Sequence, residues 1–495
     1  MEYWDGMKAI APEIWLTSFA LLALLLDLIT KGRNSRNVGY LTLAGLGVTA
    51  LALMGQGDEV VTAFGMVEVD KFGRFFKLFT LAALAVVCVF VMSDRRERQH
   101  GIGEYYFLLL GAAVGIFFMV STNNLLLLVL GLELLSLASY SLAGFHKGNK
   151  ASAEAALKYV IFGGLSAGVM IFGISLLYGL TGTIDIAEMA TLGAEGIPRG
   201  LTGQLAASPI PVGIAVTMVL AGFAYKISAV PFHFWTPDVY QGAPTPVTTF
   251  LAVASKAAGF GALLRFMGVL FVRDDVQGLV ADYGSQVGLL IAVLAAVTMT
   301  VGNVSAIGQS SLKRMLAYSS VAHAGYLLMG VATMNEAGFS AALFYMAAYY
   351  FMNLGAFGVV LYFEGVTGND HIDSLAGLGR KAPLISIVMV AFLVSLTGLP
   401  PTIGYYGKFM LFTATIDSGM TWLAVVAGLN SAVSLFYYFR IAKVLFLREG
   451  PDGAAPRTQP IFTGMLTAFG VCTVVFGLYV SPIMRWVADS MDLLE

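Results

Sequence analysis

The chain has 495 residues, of which 58% belong to the hydrophobic set and only 12% carry a formal charge. Soluble domains carry about 25% charged residues, so this sequence cannot supply a water-facing shell around so large an apolar content, and lipid must solvate most of its side chains. A net charge of −2 gives no reason to expect nucleic acid as a partner, and Cys88 and Cys472 each stand alone in an apolar run, which argues against an iron–sulfur cluster or structural zinc.

No dinucleotide-binding or P-loop glycine motif is present either, so no metal or cofactor site is expected on this chain, and any redox or nucleotide chemistry belongs to another polypeptide. The first apolar run, 10–28, is a poor secretory signal: Glu2 and Asp5 precede it, and Glu13 and Asp27 lie within it or at its edge. It reads as a retained helix. A spanning helix needs about 20 mainly apolar residues, and about fourteen such stretches follow one another. The first seven run roughly 10–29, 38–55, 72–93, 105–121, 123–143, 155–180 and 211–230. The others run roughly 244–272, 284–306, 313–333, 338–363, 383–416, 421–447 and 461–488, the twelfth being too long for one straight span. The expected fold class is therefore an all-α polytopic membrane protein.

Loop charge alternates along the chain. Odd loops carry Lys31, Arg33 and Arg36, then Arg95, Arg96 and Arg98, then Lys147 and Lys150, Lys313 and Arg314, Arg380 and Lys381, and Arg448 and Arg457. Even loops carry Asp58, Glu59, Glu68 and Asp70, then Asp185, Glu188 and Glu195. Lysine and arginine mark the cytoplasmic side, so the odd loops are expected on the cytoplasmic side of a bacterial inner membrane and both termini on its outer side.

Two spans are interrupted in similar ways. In AYKISAVPFHFWTPDVYQGAPTP, Lys226 precedes Pro231, Pro237, Pro244 and Pro246; in LTGLPPTIGYYGKF, Pro400 and Pro401 precede Lys408. Proline frees a backbone carbonyl, which hydrocarbon tolerates only where protein or a wet cavity covers it. The breaks lie five spans apart, in the seventh and twelfth, and a five-helix unit repeated once must be inverted. Interrupted spans at matching places in two halves point to a transport site; the alternative is two kinked packing helices.

Ionisable residues also sit where lipid should be. Glu133 is near the middle of the fifth span, Lys256 deep in the eighth and His323 mid-span in the tenth, while Lys226 and Lys408 flank the breaks. A charge at the bilayer centre costs roughly 2.5–3.5 kcal/mol on insertion scales. Four of them approach ~10 kcal/mol, comparable to a domain's whole net stability. Such residues face an interior path or one another. Burial brings a lysine within reach of neutral pH, and a carboxylate about 6 Å away shifts its balance by about 2.8 kcal/mol at an effective dielectric near 20. Moving Glu133 relative to a lysine would then switch that lysine between holding and releasing a proton. No oxygen-rich cage for a hard cation is evident, which favours H⁺ over Na⁺. Structural alternatives stand beside each assignment. Lys158, about a turn into its helix, can snorkel; His233 can cap carbonyls freed by the break; His323 can be an interhelical hydrogen bond. Glu133, Lys226, Lys256 and Lys408 can be buried ion pairs with no transport role, and Lys313 and Arg314 read as ordinary loop-side anchors.

The strings EAALKYVIFGGLSAGVMIFGISLLYGLTG, VPFHFWTPDVYQGAPTPVTTFLAVASK and SLKRMLAYSSVAHAGYLLMG closely resemble those of the antiporter-like membrane subunits of proton-pumping NADH:quinone oxidoreductase, respiratory complex I. The resemblance runs from the first span to the last. It implies fourteen helices with inverted five-helix repeats at helices 4–8 and 9–13, helices 7 and 12 being discontinuous. The corresponding segments are 1–104, 105–272, 273–447 and 448–495. Carried over by residue, Glu133 and Lys226 would be the paired carboxylate and lysine of the first half-channel, Lys256 the central lysine and Lys408 the lysine of the second broken helix. Lys158, His233 and His323 fall at positions that are polar in the family. Lysine rather than glutamate at 408, and an end soon after the fourteenth span, favour the subunit N branch. The resemblance further implies FMN, iron–sulfur clusters and quinone on other subunits, and neighbouring membrane-arm subunits and the lipid bilayer as partners. A multisubunit Na⁺/H⁺ antiporter of the same fold, or a non-conducting scaffold, are the competing readings.

Overall fold

The structure is a computed structural model that describes residues 3–32, 35–57, 59–94, 101–191, 201–273, 276, 278–450 and 459–494. Of the loop-charge pattern, Arg33, Asp58, Arg95, Arg96, Arg98, Glu195 and Arg457 lie outside the described residues. Among the described residues, thirteen helices are long and apolar enough to cross a membrane. The first six are Ala11–Thr30, Ser35–Met54, Lys71–Ser93, Ile102–Val120, Leu125–Ala143 and Lys150–Thr181. The seventh is Pro209–Lys226, continued after a break by Trp235–Gly242, and the eighth is Thr245–Val272. Then come Leu279–Ile307, Leu312–Ala332 and Glu336–Thr367, and beyond the twelfth crossing Thr421–Leu447 and Pro460–Leu478. That twelfth crossing is made by two 15-residue helices, Pro383–Thr397 and Ile403–Asp417. At about 1.5 Å per residue neither half reaches across a hydrocarbon core of about 30 Å. Among the described residues this gives fourteen candidate crossings, and helices 4–8 and 9–13 form two five-helix units of opposite direction.

Polar caps fix where several spans begin. Asn124, Asn149, Ser311 and Asn335 each accept a backbone N–H in the first turn of the fifth, sixth, tenth and eleventh spans. The cap at Asn149 starts the sixth span five residues earlier than the apolar run suggests, so Lys158 lies more than two turns inside. The fourteenth stretch is also shorter than its hydropathy: it stops at Leu478, and Pro482 opens a separate helix, Ser481–Ala488. Between the second and third spans, strands β1 (Val61–Ala63) and β2 (Val67–Val69) pair antiparallel around a turn with Phe64 and Gly65 at positive φ. The last helical turn folds back on this end of the bundle, where Asp492 accepts the Lys71 and Phe72 amides at 2.9 and 3.1 Å.

The eighth span is wholly buried and the tenth and eleventh nearly so, which makes them the bundle's axis. Around them, close helix crossings exploit missing side chains. A Cβ on Gly131 of the fifth span would lie 2.8 Å from the Gly115 carbonyl oxygen and 2.9 Å from the Met119 amide nitrogen of the fourth. Backbone cannot yield as a flexible side chain does, so Gly131→Val is expected to destabilise by about 1–3 kcal/mol or more. A lower midpoint of thermal aggregation in detergent is the readout; an unchanged midpoint would contradict so close a crossing.

Candidate functional site

Both breaks bring backbone and lysine together. The seventh span ends at Lys226, and the chain passes a cis Val230–Pro231 peptide before Trp235. There the Val230 amide, left without a helical acceptor, donates to Thr298 Oγ1 of the ninth span at 3.1 Å. The twelfth span stops at Thr397, passes Gly398 and a cis Pro400–Pro401 peptide, and resumes at Ile403. Gly398 has φ +88°, and a Cβ there would press on Lys408 Cδ at 2.6 Å. Glycine therefore both ends the half-helix and leaves room for the lysine. Lys408 turns back and donates to the orphan Thr397 carbonyl at 2.8 Å, and the Gly404 amide donates to Ser395 Oγ at 3.1 Å.

From the second break a row of polar side chains runs inward. Lys408 Nζ donates to Ser431 Oγ at 2.8 Å and sits 4.3 Å from the centre of the Tyr326 ring, whose hydroxyl lies 3.3 Å from Ser431 Oγ. One turn from Tyr326 is His323, with Nδ1 2.6 Å from the Tyr345 hydroxyl and Nε2 3.2 Å from that of Tyr438. Its ring centre lies 5.2 Å from that of Tyr349, whose hydroxyl donates to Ser320 Oγ at 3.0 Å. Ser320 in turn accepts from Lys256 Nζ at its hydroxyl, 2.5 Å, and its carbonyl, 2.6 Å. Lys256, His323 and Lys408 are all buried. Lys256 also follows directly on a π-helical turn, Leu251–Ser255, a distortion that often marks functional sites.

The first half is less closely joined. Lys226 is buried and donates to Ser136 Oγ of the fifth span at 3.2 Å, one turn from Glu133. Glu133 is half-buried, and its Oε1 is enclosed without a hydrogen-bond partner. Lys226 packs against Gly259, three residues beyond Lys256: a Cβ there would lie 3.2 Å from Lys226 Cγ. No side-chain hydrogen bond among the described residues links Lys226 to Lys256. His233 lies in the break, its ring 4.4 Å from that of Phe234 and its Nδ1 unpartnered, apart from the row. Lys158 also stands apart. It pairs with Glu154 at 2.7 Å and Asp238 at 2.5 Å, where Asp238 also takes Arg314.

Three buried pairs lie outside the proton-path residues expected from sequence. Lys313 is 5% exposed rather than a surface anchor, donating to the Ala243 carbonyl at 2.8 Å with Glu364 Oε1 at 3.7 Å. Lys77 of the third span meets Glu13 of the first at 2.7 Å, and Arg265 of the eighth grips Asp70, the cap of the third, at 2.6 and 2.8 Å. The signal for Arg265 was present: it follows Lys256 by nine residues in one apolar run. Each group of the row can hold or hand on a proton, and the Tyr349–His323 and His323–Tyr326 links are ring contacts of 5.2 and 5.8 Å rather than hydrogen bonds. An ammonium donates and an amine accepts, while each hydroxyl and the imidazole do both.

The chain matches the family model described as NADH:quinone oxidoreductase/Mrp antiporter, TM, over residues 122–434. It is 40% identical to NADH-quinone oxidoreductase subunit N of Anaeromyxobacter sp. (strain Fw109-5), covering 98% of this chain and 96% of that one. The subunit of the same name from Chlorobium chlorochromatii (strain CaD3) is 42% identical, covering 97% and 94%. Among solved structures, a chain of respiratory complex I from Thermus thermophilus with bound aureothin superposes with a TM-score of 0.79 at 32% identity, covering 97% of this chain and 99% of that one. A chain of the Mrp complex from Dietzia sp. DQ12-45-1b gives a TM-score of 0.82 at 22% identity, covering 99% and 98%, a likeness of fold alone.

Proposed function

Because the chain belongs to the subunit N family of the NADH-quinone oxidoreductases, we propose that it carries protons across the membrane for that enzyme, along Glu133, Lys226, Lys256, His323 and Lys408. The observation that carries this reading is the chain of contacts from Lys256 through Ser320, Tyr349, His323, Tyr326 and Ser431 to Lys408. It is built from amines, hydroxyls and imidazole, which relay protons, and not from the carboxylate and carbonyl oxygens that strip a hard cation of water. In this reading residues 105–272 and 273–447 are two half-channels flanked by 1–104 and 448–495. Lys158 and His233 then serve at the edges of the first. Quinone reduction elsewhere in the complex drives the movement, and FMN, iron–sulfur clusters and quinone belong to other subunits. Neighbouring membrane-arm subunits are the partners. The membrane is a bacterial inner membrane, with the lysine- and arginine-rich odd loops facing the cytoplasm and both termini outside.

The fold shared with the Dietzia chain supports a second reading, a subunit of a multisubunit Na⁺/H⁺ antiporter. Inverted vesicles oxidising NADH separate the two. Under the first reading Glu133→Ala lowers the proton yield about tenfold, the effect of ~1.4 kcal/mol at a proton-transfer step. An unchanged yield and turnover would refute a role for Glu133 in the path. Na⁺-dependent ΔpH without any electron donor would favour the antiporter.

A further inference from the structure

A groove of about 960 Å³ lies between the first half of the twelfth span and the thirteenth, outside the row described above. Ile387 lines one wall, and Ala432, Phe436 and Phe439 line the other. Ile387 and Phe436 are exposed on the flank of the bundle, so the groove opens sideways at the depth of hydrocarbon. Toward the odd-loop end of the thirteenth span two cations, Arg440 and Lys443, join the lining, with Phe446 and Leu447 beyond them. The Arg440 guanidinium is fixed in place, because Nη1 donates to the Ile307 and Gln309 carbonyls at the end of the ninth span, at 3.3 and 3.0 Å. Among the described residues no carboxylate pairs with Arg440 or Lys443.

We propose that this groove is a binding site for an anionic phospholipid. Its acyl chain lies along Ile387, Phe436 and Phe439, and its phosphate lies between Arg440 and Lys443. Apolar walls beside two cations that no carboxylate pairs with among the described residues match the two parts of that one molecule. Basic pockets between spans on the cytoplasmic side recognise anionic headgroups in this way, and arginine's planar fork suits phosphate. A protein helix in the same place would have to bring carboxylates to both cations. The surrounding leaflet supplies the lipid in excess.

The site does not depend on whether the row conducts protons, and its test is separate. The intact complex is purified, stripped of lipid in detergent and re-equilibrated with deuterated palmitoyl-oleoyl phosphatidylglycerol or phosphatidylcholine, and bound lipid is counted by mass spectrometry. Wild type is expected to retain one more phosphatidylglycerol per complex than either Lys443→Gln, which removes a cation, or Ala432→Trp, which fills the groove. Phosphatidylcholine retention should be equal in all three. The proposal is overturned if either variant keeps the wild-type phosphatidylglycerol count, or if wild type holds both lipids equally. A parallel loss in Leu165→Trp, on the exposed face of the sixth span, also counts against it. So does efficient crosslinking of Ala432→Cys to a neighbouring membrane subunit.

Discussion

Replacing Lys256 by arginine is expected to abolish NADH-driven proton pumping as completely as replacing it by alanine. The side chain lies in a span with no exposed face, and its ammonium is held by both oxygens of Ser320. A purely structural lysine at such a place supplies charge and donors, and arginine supplies both. A relay lysine must also give its proton up, and arginine is not deprotonated in proteins. Losing a positioned proton-transfer group lowers the rate by roughly 10²–10⁴-fold, so vesicles carrying either variant should build little ΔpH while oxidising NADH. Restoration of pumping by arginine, with alanine inactive, would show that the residue only braces the tenth span.

The second large effect is on stability. Asp70 accepts the Gly73 amide at 2.6 Å as the cap of the third span, and it receives Arg265, which is 1% exposed and also donates to the Val120 carbonyl at 2.8 Å. Asp70→Ala removes the carboxylate that Arg265 directly bonds, leaving it the Val120 carbonyl and the nearby charges of Glu68 and Asp492. Breaking a buried pair from one side costs about 3–5 kcal/mol. The expected result is poor assembly and a markedly lower midpoint of thermal inactivation. Asp70→Asn keeps the cap but not the charge and should recover only part of the loss. Asp70→Ala with Arg265→Leu removes both charges and should recover most of it, since an apolar replacement of a buried pair is often close to neutral. If the single variant is as stable as wild type, the pair is not a fastener.

What was legible in the sequence follows from where lipid imposes a rule. Hydrocarbon demands about 20 apolar residues per crossing, so the spans are readable from hydropathy to within about five residues, except the fourteenth, which stops at Leu478 rather than at 488. Backbone donors missing at Pro231, Pro400 and Pro401 likewise mark both breaks before any coordinates. Charged residues in apolar runs are conspicuous for the same reason, which is how Lys226, Lys256 and Lys408 stand out. Hydroxyls carry no such penalty and no such signal. Ser320, Tyr345, Tyr349, Ser431 and Tyr438, which sit between the charged groups, come from three spans that meet only in three dimensions. The π-helical turn before Lys256 leaves no mark in hydropathy at all. Lys313 was misjudged because a basic residue at a span's start resembles a loop anchor until Glu364, 51 residues later, is seen 3.7 Å away.

The contact of Asp492 with the Lys71 and Phe72 amides also sets an order of events during synthesis. The residues that meet are 421 positions apart in the longer case. At about 5–20 residues per second the ribosome needs on the order of 20–80 s to make the intervening chain. For that interval the exposed start of the third helix must be covered by water, by headgroups or by an insertion factor. The bundle is latched only when the final turn emerges, so a truncation that removes Asp492 leaves every crossing in place and the latch undone.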